Sequence, residues 1–313
     1  GKLLQNAEEL AAIRRSQGLE TRVIDVEDVY DEFSFGEHSP EAIREFLRVA
    51  TENWVKKPRY ALFFGDASYD PRNYGGLGYK DLVPTKLIDT LFQETTSDAW
   101  LADFNDDGIE DISIGRFPVL TAAEANSLVS KFRNYDTQID QQRSGALISD
   151  RGFQYYNDVL RSEMPGEAVI SRIDRSSMTD AAMRSAILAK LNSGPTVITY
   201  TGHGAPSLWA AAGVFQTADV AAVNNQNLSV YLLMTCLNGY FASPNYDSIS
   251  EAFLKKTNGG AIAVWASSGT TYPHKQLEIS RILTRDLFNE RQGTSRLGDL
   301  MRNAKHGTTA RDV

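Results

Sequence analysis

Two short apolar runs constrain this chain more than any other feature: Thr196-Val197-Ile198-Thr199-Tyr200 and Val230-Tyr231-Leu232-Leu233-Met234. Neither shows the in-and-out alternation of a strand with one wet face. Runs of this kind belong to strands covered on both sides, as in parallel sheets sandwiched between helical layers. A helical pattern at Thr217–Asn224 lies between them. Two strands joined by one crossover helix become parallel neighbours in one sheet.

The same alternation of helix and strand runs through the rest of the chain and predicts an α/β fold with mostly parallel strands. Helices are expected at Ala7–Gln17, opened by Asn6 with Glu9 and stopped by Gly18, and from Ser39-Pro40 onward with Ile43, Phe46, Leu47 and Ala50 on one face. Another is capped by Thr121 and Glu124 and reaches Tyr135. Strands are expected at Arg22–Val26, at Tyr60–Phe64, a continuous apolar run expected to be covered on both faces, and at Ile112–Ile114. The polar, aperiodic stretch Asp136–Ser144 sets the division into an N-terminal half, 1–140, and a C-terminal half, 141–313. The second half restarts with strands at Ala146–Ser149, Ala168–Ile170 and Ala261–Trp265, and helices at Asp180–Asn192, Ser248–Lys256, Gln276–Glu290 and Leu297–Lys305. Asp66–Thr96 is a long Gly- and Tyr-rich loop, of the length that usually serves a function.

Composition excludes several classes. With 40 acidic against 32 basic residues and a net charge of −8, the chain has no Lys/Arg cluster to follow a phosphate backbone, so nucleic acid is not an expected partner. No apolar run approaches the roughly 20 residues of a membrane span. The opening Gly1-Lys2-Leu3-Leu4 carries no signal-peptide pattern and reads as the start of an excised domain, with any targeting segment outside it. A single cysteine forms no internal disulfide and suits either a reduced or an exported setting.

That cysteine, Cys236, follows directly on the second apolar run, and His203 follows on the first, in Thr201-Gly202-His203-Gly204. Ligands of open parallel sheets bind beyond the carboxyl ends of the strands, so both residues fall where chemistry is done. A free thiol is mostly protonated at neutral pH and needs a base to become a nucleophile; an imidazole serves, then returns the proton to a leaving amine. The backbone N–H groups of Gly204 and Cys236 are candidates for an oxyanion hole. Alone, a cysteine is most often a small buried hydrophobe and Gly-His-Gly a simple turn; as a pair on neighbouring strand ends, catalysis is the better reading. There is no Gly-x-Ser-x-Gly elbow, no phosphate loop and no His-Glu-x-x-His helix.

Tyr200-Thr201-Gly202-His203-Gly204 with Trp209, and Cys236-Leu237-Asn238-Gly239-Tyr240-Phe241, resemble the histidine and cysteine motifs of the gingipain family of cysteine peptidases. Ser250–Phe253, Gly259–Ala263, Leu62–Asp70 and Asp111–Arg116 resemble it too, in order along nearly the whole chain. The resemblance implies a caspase-like fold of two side-by-side subdomains, with mostly parallel sheets covered by helices. It implies endopeptidase activity on a protein or peptide substrate, with Cys236 as nucleophile and His203 as base. It further implies a secreted or cell-surface bacterial enzyme cut from a longer precursor with flanking domains. It offers Asp98 as the acid that pairs with a basic P1 residue (Arg or Lys), with Tyr272 and Trp265 as aromatic walls of that pocket. Asp98 also reads as a helix N-cap. Asp89 and Glu94 are offered for orienting His203, without a choice between them.

No cofactor is required for this chemistry. Asp103, Asn105, Asp107 and Asp111 nonetheless alternate around Gly108 like the first half of an EF-hand loop, a possible structural Ca2+ site, although Ile114 stands where the closing Glu belongs. The other reading of that stretch is a solvated acidic turn. Two other functions are open to this sequence: a catalytically silent caspase-like binding module, and a metal-dependent hydrolase built on His203, Asp66 and Asp70. His38, His274 and His306 read as surface or loop residues.

Overall fold

The computed structural model describes residues 1–135, 143–289 and 296–308. The expected boundary at 136–142, and Glu290 at the end of one expected helix, lie outside them. The chain divides into two compact units: Gly1–Asp89 with Glu94–Asn134 and Phe241–Asn245, and Thr90–Gln93 with Tyr135–Tyr240 and Tyr246–Val313.

The first unit opens with three helices, Leu4–Ser16 (α1), Val26–Ser34 (α2) and Pro40–Asn53 (α3). The strand expected at Arg22–Val26 is instead the lead-in to α2. Asp25 is extended and its carboxylate accepts the Glu27 N–H, so it caps a helix. This stretch did not make a strand because Val29 and Tyr30, three and four residues after Val26, enter the core at helical spacing. Asn6 is inside α1 rather than at its cap, and its amide donates to Asn126. In α3, Ser39 caps the N–H groups of Glu41 and Ala42, and Ile43, Leu47 and Ala50 are buried as the spacing predicts.

Strand β1 (Tyr60–Phe64) runs parallel to β4 (Ser113–Phe117), and between them in sequence β2 (Lys86–Asp89) and β3 (Glu94–Ser97) pair as an antiparallel hairpin. The long loop therefore contains a hairpin. Asp89 and Glu94 face each other across its last rung. Val29, Tyr30, Ile43, Leu47, Phe63, Leu101 and Ile112 form the core, and Thr121 and Glu124 cap α4 (Ala122–Tyr135) reciprocally.

The second unit is a five-stranded sheet, parallel throughout: β5 (Ser144–Ser149), β6 (Val169–Asp174), β7 (Val197–Thr201), β11 (Ser229–Met234) and β12 (Ala261–Ala266), in spatial order β12-β11-β7-β5-β6. Every residue of β7 and β11 is buried, Thr199 and Thr201 included, whereas in β1, expected to be covered on both faces, only Phe63 is buried and Leu62 is 43% exposed. Helices α6 (Asp180–Asn192) and α7 (Ile249–Lys255) bury Met183, Ile187, Leu191, Ile249 and Phe253 against one face, which carries Ile148, Ile198, Tyr200, Tyr231 and Leu233. Helices α5 (Gln154–Ser162) and α8 (Pro273–Asn289) pack against each other and on the sheet, with α9 (Leu297–His306) against α8. A three-stranded antiparallel flap, β8 (Gly204–Ala205), β9 (Leu208–Trp209) and β10 (Phe215–Gln216), follows β7. The crossover residues Thr217–Ala222 are a 3-10 turn rather than the expected α-helix.

Candidate functional site

Strands β7 and β11 are neighbours, and their last paired rung is Thr201 opposite Met234. The Gly202 N–H extends the pairing to the Met234 carbonyl at 3.2 Å. His203 and Cys236 each stand two residues past that rung, on the same rim of one sheet. His203 is exposed, and the edge of its ring meets the Phe153 ring at 5.3 Å between centroids. Cys236 is half-buried.

The two segments pack closely enough to dictate their glycines. A Cβ on Gly204 would overlap the Thr235 hydroxyl and lie 3.1 Å from the Cys236 carbonyl oxygen. A Cβ on Gly202 would come within 2.5 Å of the Asp150 Cβ and 2.7 Å of the Tyr200 hydroxyl. A side chain at Gly204 would push the histidine segment off the cysteine segment, and one at Gly202 would meet Asp150 and Tyr200.

The turn after Cys236 is strained and heavily tied. Leu237 has φ 62°, in the left-handed region that costs a non-glycine residue on the order of 1 kcal/mol. Its N–H donates to the Gly269 carbonyl at 3.0 Å, and the Gly239 N–H to the Ser267 carbonyl at 2.9 Å. The buried Asn238 amide donates to the Ala205 and Leu208 carbonyls at 2.6 and 3.1 Å, joining this turn to the flap that follows His203. From α8 the buried Gln276 amide holds the Thr235 carbonyl at 3.0 Å. The sulfur itself has only weak, long partners, the Thr271 N–H at 3.5 Å and the Thr271 carbonyl at 3.6 Å. Asn238 and Gln276 were not singled out in the sequence; Asn238, two residues past the cysteine, was the only one within reach of a local motif.

The expected pocket residues are placed differently. The Asp98 carboxylate belongs to the first unit, where the Arg116 Nε and Nη2 grip both its oxygens at 2.7 Å. Arg116 Nη1 also donates to the Gly65 and Val83 carbonyls, and its guanidinium lies over the Phe63 and Phe241 rings. Burial works against the charge of Arg116, but Asp98 outweighs it and holds the guanidinium pKa above its usual value. Asp98 thus faces an internal arginine, and although it precedes the 3-10 turn Ala99–Ala102 its side chain makes no cap bond. Trp265 lies within β12, opposite Leu232 and under the Lys305 ammonium of α9, on a face of the sheet rather than at its rim. Tyr272 does flank the cysteine: it follows Thr271, is 46% exposed, and its ring meets Phe92 at 5.0 Å.

A carboxylate the sequence reading passed over is at the rim instead. Asp150 follows β5, and its N–H donates to the Thr201 carbonyl at 3.0 Å. It is buried against Gly202 and receives Arg175 Nη1 at 2.8 Å, while the rest of that guanidinium grips Asp180. The signal for it was available, because Asp150 ends a third apolar run.

The calcium expectation meets a closed loop. Asp103 accepts the N–H groups of Asp107 and Gly108, Asn105 accepts that of Asp107, Asp107 that of Ile109, and Asp111 that of Phe104. Arg44 reaches in to the Asp103 carbonyl and the Asp106 carboxylate. These side-chain oxygens cap backbone donors of the same loop, and among the described residues no three His, Cys, Asp or Glu are disposed to hold a metal ion.

Among the described residues, no helix is long and apolar enough to cross a membrane. The family model of peptidase family C25 matches residues 1–312. No curated protein matches. Among solved structures, the complex of Porphyromonas gingivalis RgpB pro- and mature domains is similar, with TM-score 0.77 and 18% identity over 97% of this chain and 71% of that one. The Arg-specific cysteine proteinase gingipain R (RgpB) gives the same TM-score and identity over 98% and 70%. A further structure, described as a protease, is similar at TM-score 0.62 and 15% identity, over 78% and 53%.

Proposed function

We propose, from the premise that this chain belongs to peptidase family C25, that it is a cysteine endopeptidase in which Cys236 is the nucleophile and His203 the general base and acid. The observation that carries this reading is the equal offset of the two residues past the paired rung Thr201–Met234. It sets an imidazole and a thiol on one rim, the first exposed and the second half-buried.

The imidazole takes the Sγ proton, and the sulfur bonds to the carbonyl carbon of the scissile peptide. The carbonyl oxygen gains the negative charge, for which the Gly204 and Cys236 N–H groups are the proposed donors. As the C–N bond breaks, the imidazolium gives its proton to the departing amine and leaves a thioester on Cys236. Water, deprotonated by the same imidazole, then hydrolyses it and regenerates the thiol.

Preference for a basic P1 residue is supported by the printed description of gingipain R as Arg-specific. Asp98 and Asp150 are each held by an arginine, so neither supports it as an open acid. Tyr272 remains as a pocket wall. A flanking pro-segment is read from the relative described with a pro-domain, and secretion from the family resemblance alone.

Two measurements test this reading. Iodoacetamide is expected to label Cys236 rapidly at neutral pH, and His203→Ala to slow that labelling. Labelling indifferent to His203 would remove the dyad. A panel of peptides varied at P1 then ranks Arg and Lys against uncharged residues. A basic preference that persists in Asp98→Asn would show that Asp98 does not select.

A further inference from the structure

We propose that the Tyr200 hydroxyl is a positioning residue for the histidine, fixing the backbone from which the His203 imidazole reaches Cys236. This rests on the peptidase reading and assigns a role to a residue that touches neither substrate nor sulfur.

Tyr200 is the fourth residue of β7, fully buried, and its ring lies flat on Trp209 with centroids 4.5 Å apart and planes 4° off parallel. The stack directs the hydroxyl beyond the end of the sheet. There it donates to the His203 carbonyl at 2.8 Å and accepts the Ala210 N–H at 2.8 Å. The Ala210 N–H also reaches the His203 carbonyl, at 2.7 Å. The hydroxyl therefore closes a three-membered clasp between the first and last residues of the segment 203–210.

Three further features show that the segment depends on it. Ala210 has φ 59°, a left-handed conformation disfavoured for alanine that its neighbours must hold. Gly202 has no room for a Cβ beside the same hydroxyl. And His203, exposed and packed edge-on against Phe153, has its backbone carbonyl held by this clasp. Burial above all, and then the charge of Asp150, keep the phenol pKa far above its usual value, so it stays a donor over any working pH. A tyrosine here does what a phenylalanine would not: it stacks on Trp209 in the core, and it delivers one donor to one carbonyl.

The test is Tyr200→Phe, which keeps the stack and deletes two of the clasp's three bonds, leaving only the Ala210 N–H on the His203 carbonyl. Misplacement of a catalytic group by about 1 Å can cost about 100-fold in rate. The expected result is a fall of about 10- to 100-fold in kcat with KM unchanged, and slower alkylation of Cys236 at neutral pH. 4-Aminophenylalanine at position 200, which restores a donor on the same ring, is expected to recover part of both. Ile187→Val, which loosens the same core away from the segment, should lower Tm and leave the alkylation rate unchanged. If Tyr200→Phe is too unstable to assay, 4-fluorophenylalanine at that position fills the volume without donating and gives the same comparison. Wild-type kcat and an unchanged alkylation rate in the variant would overturn the assignment. Because alkylation requires no peptide substrate, a wild-type rate already indifferent to His203→Ala would instead count against the dyad itself.

Discussion

Each unit ends a set of parallel strands on a cluster of polar residues, and the two clusters are treated oppositely. In the first unit, Arg116 of β4 makes four N–H···O bonds, two to Asp98 and two to carbonyls, between two aromatic rings and almost out of water. In the second, His203 stands in solvent and the Cys236 sulfur has two long contacts to Thr271. One cluster is closed and the other open. A buried charge persists only when paired and hydrogen-bonded, so the closed cluster contributes rigidity. The open cluster places its hydrogen bonds around these two side chains, on the Tyr200 clasp, the Asn238 amide and the Gln276 amide, as the proposed nucleophile would require of a reachable atom.

The contrast breaks if the two clusters respond alike to truncation. The largest effect is expected from Cys236→Ala: hydrolysis should fall by several orders of magnitude, to the limit of a peptide assay, while Tm stays within a few degrees of wild type. Loss of folding in this variant would mean that the sulfur is a core group after all. Arg116→Met is expected to do the reverse. It strands the Asp98 carboxylate, and urea unfolding should show a loss of about 3–5 kcal/mol, with the P1 ranking of whatever activity survives unchanged. A change in ranking without loss of stability would restore Asp98 to the substrate.

The smallest effect is expected at Asp81, buried in the closed unit with its carboxylate accepting the Ser68 N–H. Burial raises its pKa above the ordinary value, against the pull of that hydrogen bond and of Arg116. The folded state therefore holds this proton to higher pH than the unfolded chain does. The stabilisation from holding it is complete below the unfolded pKa and is lost as pH rises through the raised folded value. Asp81→Asn, which can still accept from Ser68, should flatten that part of the Tm–pH curve and raise Tm slightly at neutral pH. A steeper curve in the variant would contradict this sign.

Much of the open unit was legible because its signals are local. Continuous apolar runs gave β5, β7, β11 and β12, and the residues immediately after two of them gave His203 and Cys236. The capping pairs at Ser39-Pro40 and Thr121–Glu124 were legible for the same reason. Arg22–Val26 was not legible because a short apolar stretch such as Val23, Ile24 and Val26 fits either period, and the Asp25 cap decides only once Val29 and Tyr30 have a core to enter. The partner of Asp98 was not legible because a carboxylate's role depends on which cation reaches it, and Arg116 comes from a different strand.

The chain by itself determined the period of each segment, and with it the layered α/β class and the presence of an imidazole and a thiol after two buried strands. Those properties depend on neighbours a few residues apart. Tertiary structure alone decided the rung at which β7 meets β11, the arginines that hold Asp98 and Asp150, and the hydroxyl beneath His203. Each of these is a contact between groups brought together by packing, and pairing energies of that kind depend on distance and burial that no local pattern encodes.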